Sequence, residues 1–250
     1  MAPIRLTGKL ICKTASERAA VLAALPGHIR ATVHEAGCLF FDVHQSDDPM
    51  VWEVDEGFVD AAAFRAHQTR TATSDWAQAT AGILRDYKTA EQRPEISQET
   101  AQDIAAIFLL LRSAFESEDE ANLVKSLRSA LDLPISLTAK MGRAYLGHIA
   151  FSTITAPFKA LALAPLAVRA NMRRQGLGAD LVRAGLLSAR EKGYEGVFVL
   201  DETDFYSRFG FKPATGFTGK FANENLMLLD LTRKGLPDNG EIIWSKSFNK

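Results

Sequence analysis

Two guanidinium groups stand immediately before two glycines in the run Arg173-Arg174-Gln175-Gly176-Leu177-Gly178-Ala179. Arginine offers planar, paired donors that suit phosphate oxygens, and glycine lets an oxyanion approach the backbone closely. An apolar run from Ala160 to Val168 precedes this stretch and reads as a buried strand. Leu181, Val182, Leu186, Leu187 and Ala189 follow it at helical spacing. The first amides of a helix have no internal partner and sit at the positive end of its dipole, so a strand feeding a glycine loop into a helix start favours anions. The loop reads as a pyrophosphate cradle. Taken alone, the same residues also describe a tight turn.

The elements that must position this loop belong to a chain of 250 residues with a net charge of -1. That length accommodates two small domains. The balanced charge gives no global drive toward nucleic acid or an anionic membrane, and no apolar run is long enough to span a bilayer. Cys12 and Cys38 lack CxxC spacing, no charged segment leads into an apolar leader, and a cytoplasmic location is expected. Ile4 to Lys13 alternates apolar and polar residues as a half-buried strand does. Ser16 is expected to cap a helix bearing Val21, Leu22, Leu25, Ile29 and Val33, which Pro26 would interrupt or kink. Strands over 37–45 and 50–58, helices over 60–68 and 74–84, and a short strand at 83–88 complete a β-α-β-β-α-β order, the split βαβ of a ferredoxin-like unit. The polar stretch Thr89 to Ser97, with Pro94, marks the boundary: residues 1–92 form one domain, 93–98 a linker and 99–250 a second domain. Beyond it, alternating helices and strands give an α/β pattern.

Arg173-x-x-Gly176-x-Gly178 resembles the acetyl-CoA loop of the GNAT N-acetyltransferases. Asp204-Phe-Tyr-Ser-Arg-Phe-Gly-Phe-Lys-Pro213 resembles the closing Tyr-x-x-x-Gly-Phe segment of that family. The order Pro165-Leu-Ala-Val, Leu181-Val-Arg-Ala-Gly-Leu, Gly193-Tyr and Phe209-Gly-Phe is similar to its YhbS-like branch, from about Glu99 onward. The resemblance implies a GNAT acyl-CoA N-acyltransferase fold and direct acetyl transfer from acetyl-CoA to a small-molecule or peptide amine. It places Leu166, Ala167 and Val168 against the pantetheine arm, the amides from Arg174 to Ala179 on the pyrophosphate, and Tyr206 as proton donor to the departing thiolate. Without that context Tyr206 would equally suit a core tyrosine with a wet hydroxyl. Phe205, Phe209 and Phe211 read as packing. The base is not assigned: Asp201, Glu202, Asp204, Glu116, Glu118 and Glu120 are ordinary solvated carboxylates by type, and His148 suits a hydrogen-bonded strand position.

Glu35-Ala-Gly-Cys-Leu39, Val51-Trp-Glu-Val-Asp-Glu56 and Ala63-Phe-Arg-Ala-His67 resemble the antibiotic-biosynthesis monooxygenase (ABM, YgiN-like) family over about Ile4 to Ala90, with Ala36 where the family usually has proline. That likeness implies a ferredoxin-like, dimeric α+β barrel type domain and a homodimer through the N-terminal sheets. Trp52, Glu56, Phe64 and His67 would line a pocket for an aromatic substrate, although core packing accounts for them as well. His28, His34 and His44 lack ligand spacing, so no metal site is expected, and neither resemblance calls for flavin. Two further readings stay open: a bifunctional protein whose N-terminal domain is a cofactor-independent, quinol-type monooxygenase, and a non-enzymatic acetyl-CoA-binding module.

Overall fold

Alternation in the first strand sets the N-terminal architecture, because every second residue of Ile4–Ile11 faces the helices. The structure is a computed structural model that describes residues 2–201, 203–232 and 234–249. It divides into two units, Met1–Pro94 with Lys140–Ala144, and Glu95–Ala139 with Tyr145–Lys250.

The first unit runs β1 (Ile4–Ile11), α1 (Ala15–Val33), β2 (Cys38–Gln45), β3 (Val51–Phe58), α2 (Ala61–Ala72), α3 (Asp75–Ala79) and β4 (Leu84–Glu91). Its antiparallel sheet has the order β2-β3-β1-β4, the ferredoxin-like arrangement. Leu6, Leu10, Trp52 and Val54 pack from the sheet against Val21 and Leu25 of α1 and Trp76 of α3. The helix cap is Thr14, not Ser16: Thr14 is extended (φ -134°) and its side chain accepts from the Glu17 amide. Pro26 does not interrupt α1. It lies on the exposed side, while Val21, Leu25, His28 and Thr32 are buried and hold both halves of the helix on the sheet. The expected helix over 74–84 ends at Ala79, because Gly82 takes φ +81° and turns the chain into β4.

The second unit runs β5 (Glu95–Gln98), α4 (Ile104–Ala114), α5 (Asp119–Ser129), β6 (Ile135–Met141), β7 (Ala144–Thr155), β8 (Ala160–Val168), α6 (Leu177–Glu191), β9 (Gly196–Leu200), α7 (Thr203–Ser207), β10 (Lys212–Pro213), β11 (Gly216–Thr218), β12 (Leu226–Asp230), β13 (Asn239–Glu241) and β14 (Ile243–Trp244). The main sheet has the order β10-β12-β9-β8-β7-β6-β5, with β14 on β7, and β11 pairs with β13. Residues 95–98 of the expected linker are therefore a strand, the outermost of this sheet. Helix α6 packs so closely on β7 that a Cβ at Gly185 would lie 2.2 Å from the Phe151 ring.

Candidate active site

Strands β8 and β9 run parallel, but they are paired only where Ala160–Leu163 faces Gly196–Val199. Strand β8 continues to Val168, held on its other side by β7, with His148 opposite Ala167 and Gly147 opposite Val168. Pro165 carries no N–H for a ladder. Past Leu163 the two strands separate, and a cleft of about 690 Å³ opens at the free edge of β8.

Leu166, Ala167, Val168, Arg173, Arg174, Gly176, Gly178, Ala179 and Tyr206 all line this cleft, so most of the residues expected at the site share one wall. Gln175 and Leu177 do not. The Gln175 amide turns back to the Asn171 carbonyl at 3.1 Å, and Leu177 is buried beneath the helix start beside Gly147. Their place in the run came from sequence adjacency, whereas a helix start sends successive side chains in different directions. Ala114, Phe115, Met172, Phe205 and Arg208 join the lining without having been expected there, and so does Asp201, one of the candidate bases. Arg208 was legible as the cation between Tyr206 and the Gly-Phe pair.

Arg174 takes φ +60° and Gly176 φ +92°, and backbone of this kind can gather successive amides into an anion-binding concavity ahead of α6. Arg173 has a second duty. Its Nε donates to the Val168 carbonyl at 3.2 Å and its Nη2 to the Ala114 carbonyl at 2.8 Å, tying the loop to the ends of β8 and α4.

Tyr206 is 2% exposed and donates from Oη to Asp201 Oδ2 at 3.4 Å. Burial raises its phenol well above the ordinary tyrosine range, and the charge and hydrogen bond of Asp201 add to the effect. Phe211 is core, as expected, whereas Phe205 lines the cleft and carries the Arg208 guanidinium 4.1 Å above its ring. Among the candidate bases, Asp201 lines the cleft, Glu118 pairs with Arg112 at 2.8 Å, and Glu202 lies outside the described residues. His148 belongs to a buried network. Its Nε2 lies 2.8 Å from Ser136 Oγ, Ser136 hydrogen-bonds Glu99, and Arg128 holds Glu99 at 2.6 and 2.8 Å. Burial pushes this imidazole down to about 4.

In the first unit the structure brings Glu56 and His67 together, with His67 Nε2 3.6 Å from Glu56 Oε2. His67 Nδ1 lies 3.0 Å from Glu35, which also takes Arg70 Nε at 2.5 Å, while Arg70 Nη2 donates to Thr32 at 2.7 Å. Phe58 stands 4.8 Å from the His67 ring and 5.5 Å from Phe64. Trp52 instead joins the core around Leu10, with Phe64 packed against the same cluster. Burial, then the charges of Glu35 and Asp55, pushes the Glu56 carboxyl up to about 8, while burial lowers His67. Arg70 lies three residues along α2 from His67, while Glu35, in the turn before β2, completes the network from 32 positions away, which the isolated motif did not reveal.

With its free strand edge beside a glycine-bearing helix start, the chain belongs to the GNAT N-acetyltransferase family. The family described as "Acetyltransferase (GNAT) domain" matches residues 137–213, and "Antibiotic biosynthesis monooxygenase" matches residues 14–79. The protein thus fuses an ABM-type unit to a GNAT unit. It is similar to the uncharacterised N-acetyltransferase YhbS of Escherichia coli K12, with 41% identity over 116 residues, covering 45% of this chain and 70% of that protein. The crystal structure of Escherichia coli YhbS in complex with CoA superposes with a TM-score of 0.60 at 32% identity, covering 64% of this chain and 94% of the other. A GNAT acetyltransferase from Brucella melitensis in complex with acetyl-CoA gives 0.54 at 28%, covering 62% and 97%. No helix among the described residues is long and apolar enough to cross a membrane.

Proposed function

We propose that this chain transfers the acetyl group of acetyl-CoA directly to the nitrogen of a small-molecule or peptide amine. The observation that carries this reading is the splay itself: the edge of β8 at Leu166, Ala167 and Val168 opens beside the loop from Arg174 to Ala179 and ends near Tyr206. Pantetheine carries amides and can pair with a strand edge much as an added strand does. The loop amides and the start of α6 favour the pyrophosphate, and the relatives bound to CoA and acetyl-CoA support the choice of ligand. Transfer requires a neutral amine, a polarised carbonyl and a proton for the leaving thiolate. Tyr206 supplies the last.

A Cβ at Gly178 meets only ordinary contacts, 3.6 Å from Val168 and 3.7 Å from Phe205, so a longer side chain there projects into the cleft without breaking the helix start. Calorimetric titration of acetyl-CoA should show binding to the wild type and none to Gly178→Asp. A folded wild type that binds no acetyl-CoA would reduce the loop to a turn. The ABM-type unit we assign to homodimerisation through its sheet. Sedimentation of the full chain should then give a dimer; a monomer that consumes oxygen with simple quinols, and loses this on His67→Ala, would make the unit a monooxygenase instead.

A further inference from the structure

Among the described residues lining the cleft, Asp201 is the one carboxylate; the other charged groups there are Arg173, Arg174 and Arg208. Arginine stays protonated and cannot receive a proton. Asp201 closes strand β9's side of the opening and touches Tyr206 Oη at 3.4 Å, so the cleft's acid and its proton acceptor are already joined by a hydrogen bond. We infer that Asp201 is a catalytic residue of the acyl transfer: it accepts a hydrogen bond from a neutral primary amine at the end of the cleft away from the basic loop, takes the one proton shed during attack, and returns that proton to the Tyr206 oxygen. This inference rests on the acetyl-transfer reading and specifies its base.

The steps balance. The nitrogen lone pair attacks the thioester carbonyl and forms the C–N bond, after which the nitrogen loses one proton to Asp201. The C–S bond breaks with its electron pair leaving on sulfur, and sulfur takes the Tyr206 proton. The proton on Asp201 then crosses the existing contact to the Tyr206 oxygen, restoring both groups. One N–H proton ends on the CoA thiol, and no further reactant is needed.

The coupling also orders the events. Burial first, and then the charge and hydrogen bond of Asp201, hold the phenol proton in the resting cleft. Neutralising Asp201 removes the second and third influences, so Tyr206 becomes a better donor once the nitrogen's proton has arrived. The acidic run Asp201, Glu202, Asp204 does not reveal this on its own. Asp204 is exposed on α7, while position 201 meets both the cleft and the tyrosine.

The test uses the full-length chain, acetyl-CoA and n-butylamine as the acceptor probe, with thiol release as the signal. Asp201→Asn should lower kcat on the order of 100-fold with the KM for acetyl-CoA unchanged, and Asp201→Glu should recover part of the loss. Asp201→Asn combined with Tyr206→Phe should be no slower than the slower single variant, as expected of groups acting as a unit. Full activity in Asp201→Asn, or multiplicative losses in the double variant, would overturn the shuttle while leaving acetyl transfer intact. Failure of the wild type to bind acetyl-CoA by calorimetry would sink the underlying reading, and the inference with it. Should the wild type bind acetyl-CoA but leave butylamine untouched, tyrosinate absorbance decides. Tyr206, identified by difference from Tyr206→Phe, must ionise at lower pH in Asp201→Asn, and an unchanged titration refutes the coupling.

Discussion

Both units hold acid–base groups in close pairs, yet the pairs face opposite kinds of surroundings. In the ABM-type unit Glu56 and His67 are 5% and 3% exposed, and Glu35, Arg70 and Thr32 lock His67 from behind. In the GNAT unit Tyr206 is equally buried, but its partner Asp201 is exposed at a cleft with three arginines on its lining. Burial of titratable groups does not by itself mark a working site. A site also needs a path by which substrate reaches the group, and the splay of β8 from β9 provides one. Inside a core, the same residue types contribute to stability and its pH dependence.

The sharpest way to break the contrast is to remove one polar group from each region and compare rate with stability. Tyr206→Phe should lower kcat for acetyl transfer on the order of 100-fold, about 2.7 kcal/mol in the barrier, with the unfolding midpoint little changed. Steady-state thiol release and urea unfolding check both halves. Glu35→Ala should do the reverse. It strips His67 Nδ1 and Arg70 Nε of their shared carboxylate and should cost about 2 kcal/mol of stability, while kcat stays at the wild-type value. A fall in kcat there would give the ABM-type unit a part in substrate handling and dissolve the contrast.

Glu56 sharpens the comparison through pH. Its folded carboxyl holds a proton up to about 8, above the ordinary value of 4.5, so at intermediate pH the native state binds more protons than the unfolded chain and stability falls as pH rises through that window. His28, lowered to about 3, and His67, also lowered, act oppositely: the unfolded chain gains protons first as pH drops below 6.5, so they cost stability on the acid side. Between about 6.5 and 8 the Glu56 effect stands alone, with a slope of up to roughly 1.4 kcal/mol per pH unit. Urea unfolding followed by tryptophan emission should show this slope in the wild type and lose it in Glu56→Gln. A wild type with flat stability over that range would show that Glu56 is not held protonated.

How much of this was legible depends on the distance over which each feature is encoded. Strand β8 was readable to its ends, because a continuous apolar run bounded by Lys159 and Arg169 leaves little choice. The sheet orders fit the two fold classes inferred from resemblance, and the cleft gathers Tyr206 with most of the loop. Long-range pairing was not legible. Nothing local says that Arg173 spends two donors on the Val168 and Ala114 carbonyls, or that Glu35 meets His67 across 32 positions. The choice of Asp201 over Asp204 likewise depends on where β9 ends and α7 begins, a matter of a residue or two. The cap of α1 is the smallest such case. Both Thr14 and Ser16 are good capping types, and two positions separate them.

That case yields the smallest prediction and still bears on the contrast, because α1 carries His28 and Thr32 into the buried network of the first unit. Thr14 is extended and accepts the Glu17 amide at 3.2 Å, and the Glu17 carboxylate in turn takes the Lys13 amide at 2.5 Å, so removing the Thr14 hydroxyl orphans a helix donor. Thr14→Ala should cost about 1 kcal/mol, and Ser16→Ala, inside the first turn and exposed, should change stability by less than about 0.5 kcal/mol. Neither should alter kcat, since neither residue lines the acetyl-transfer cleft. Urea midpoints for the two variants, measured beside acetyl transfer, check the pair. A larger loss from Ser16→Ala would move the start of α1 two residues along the chain, and a loss of kcat from either would tie the helix to the chemistry.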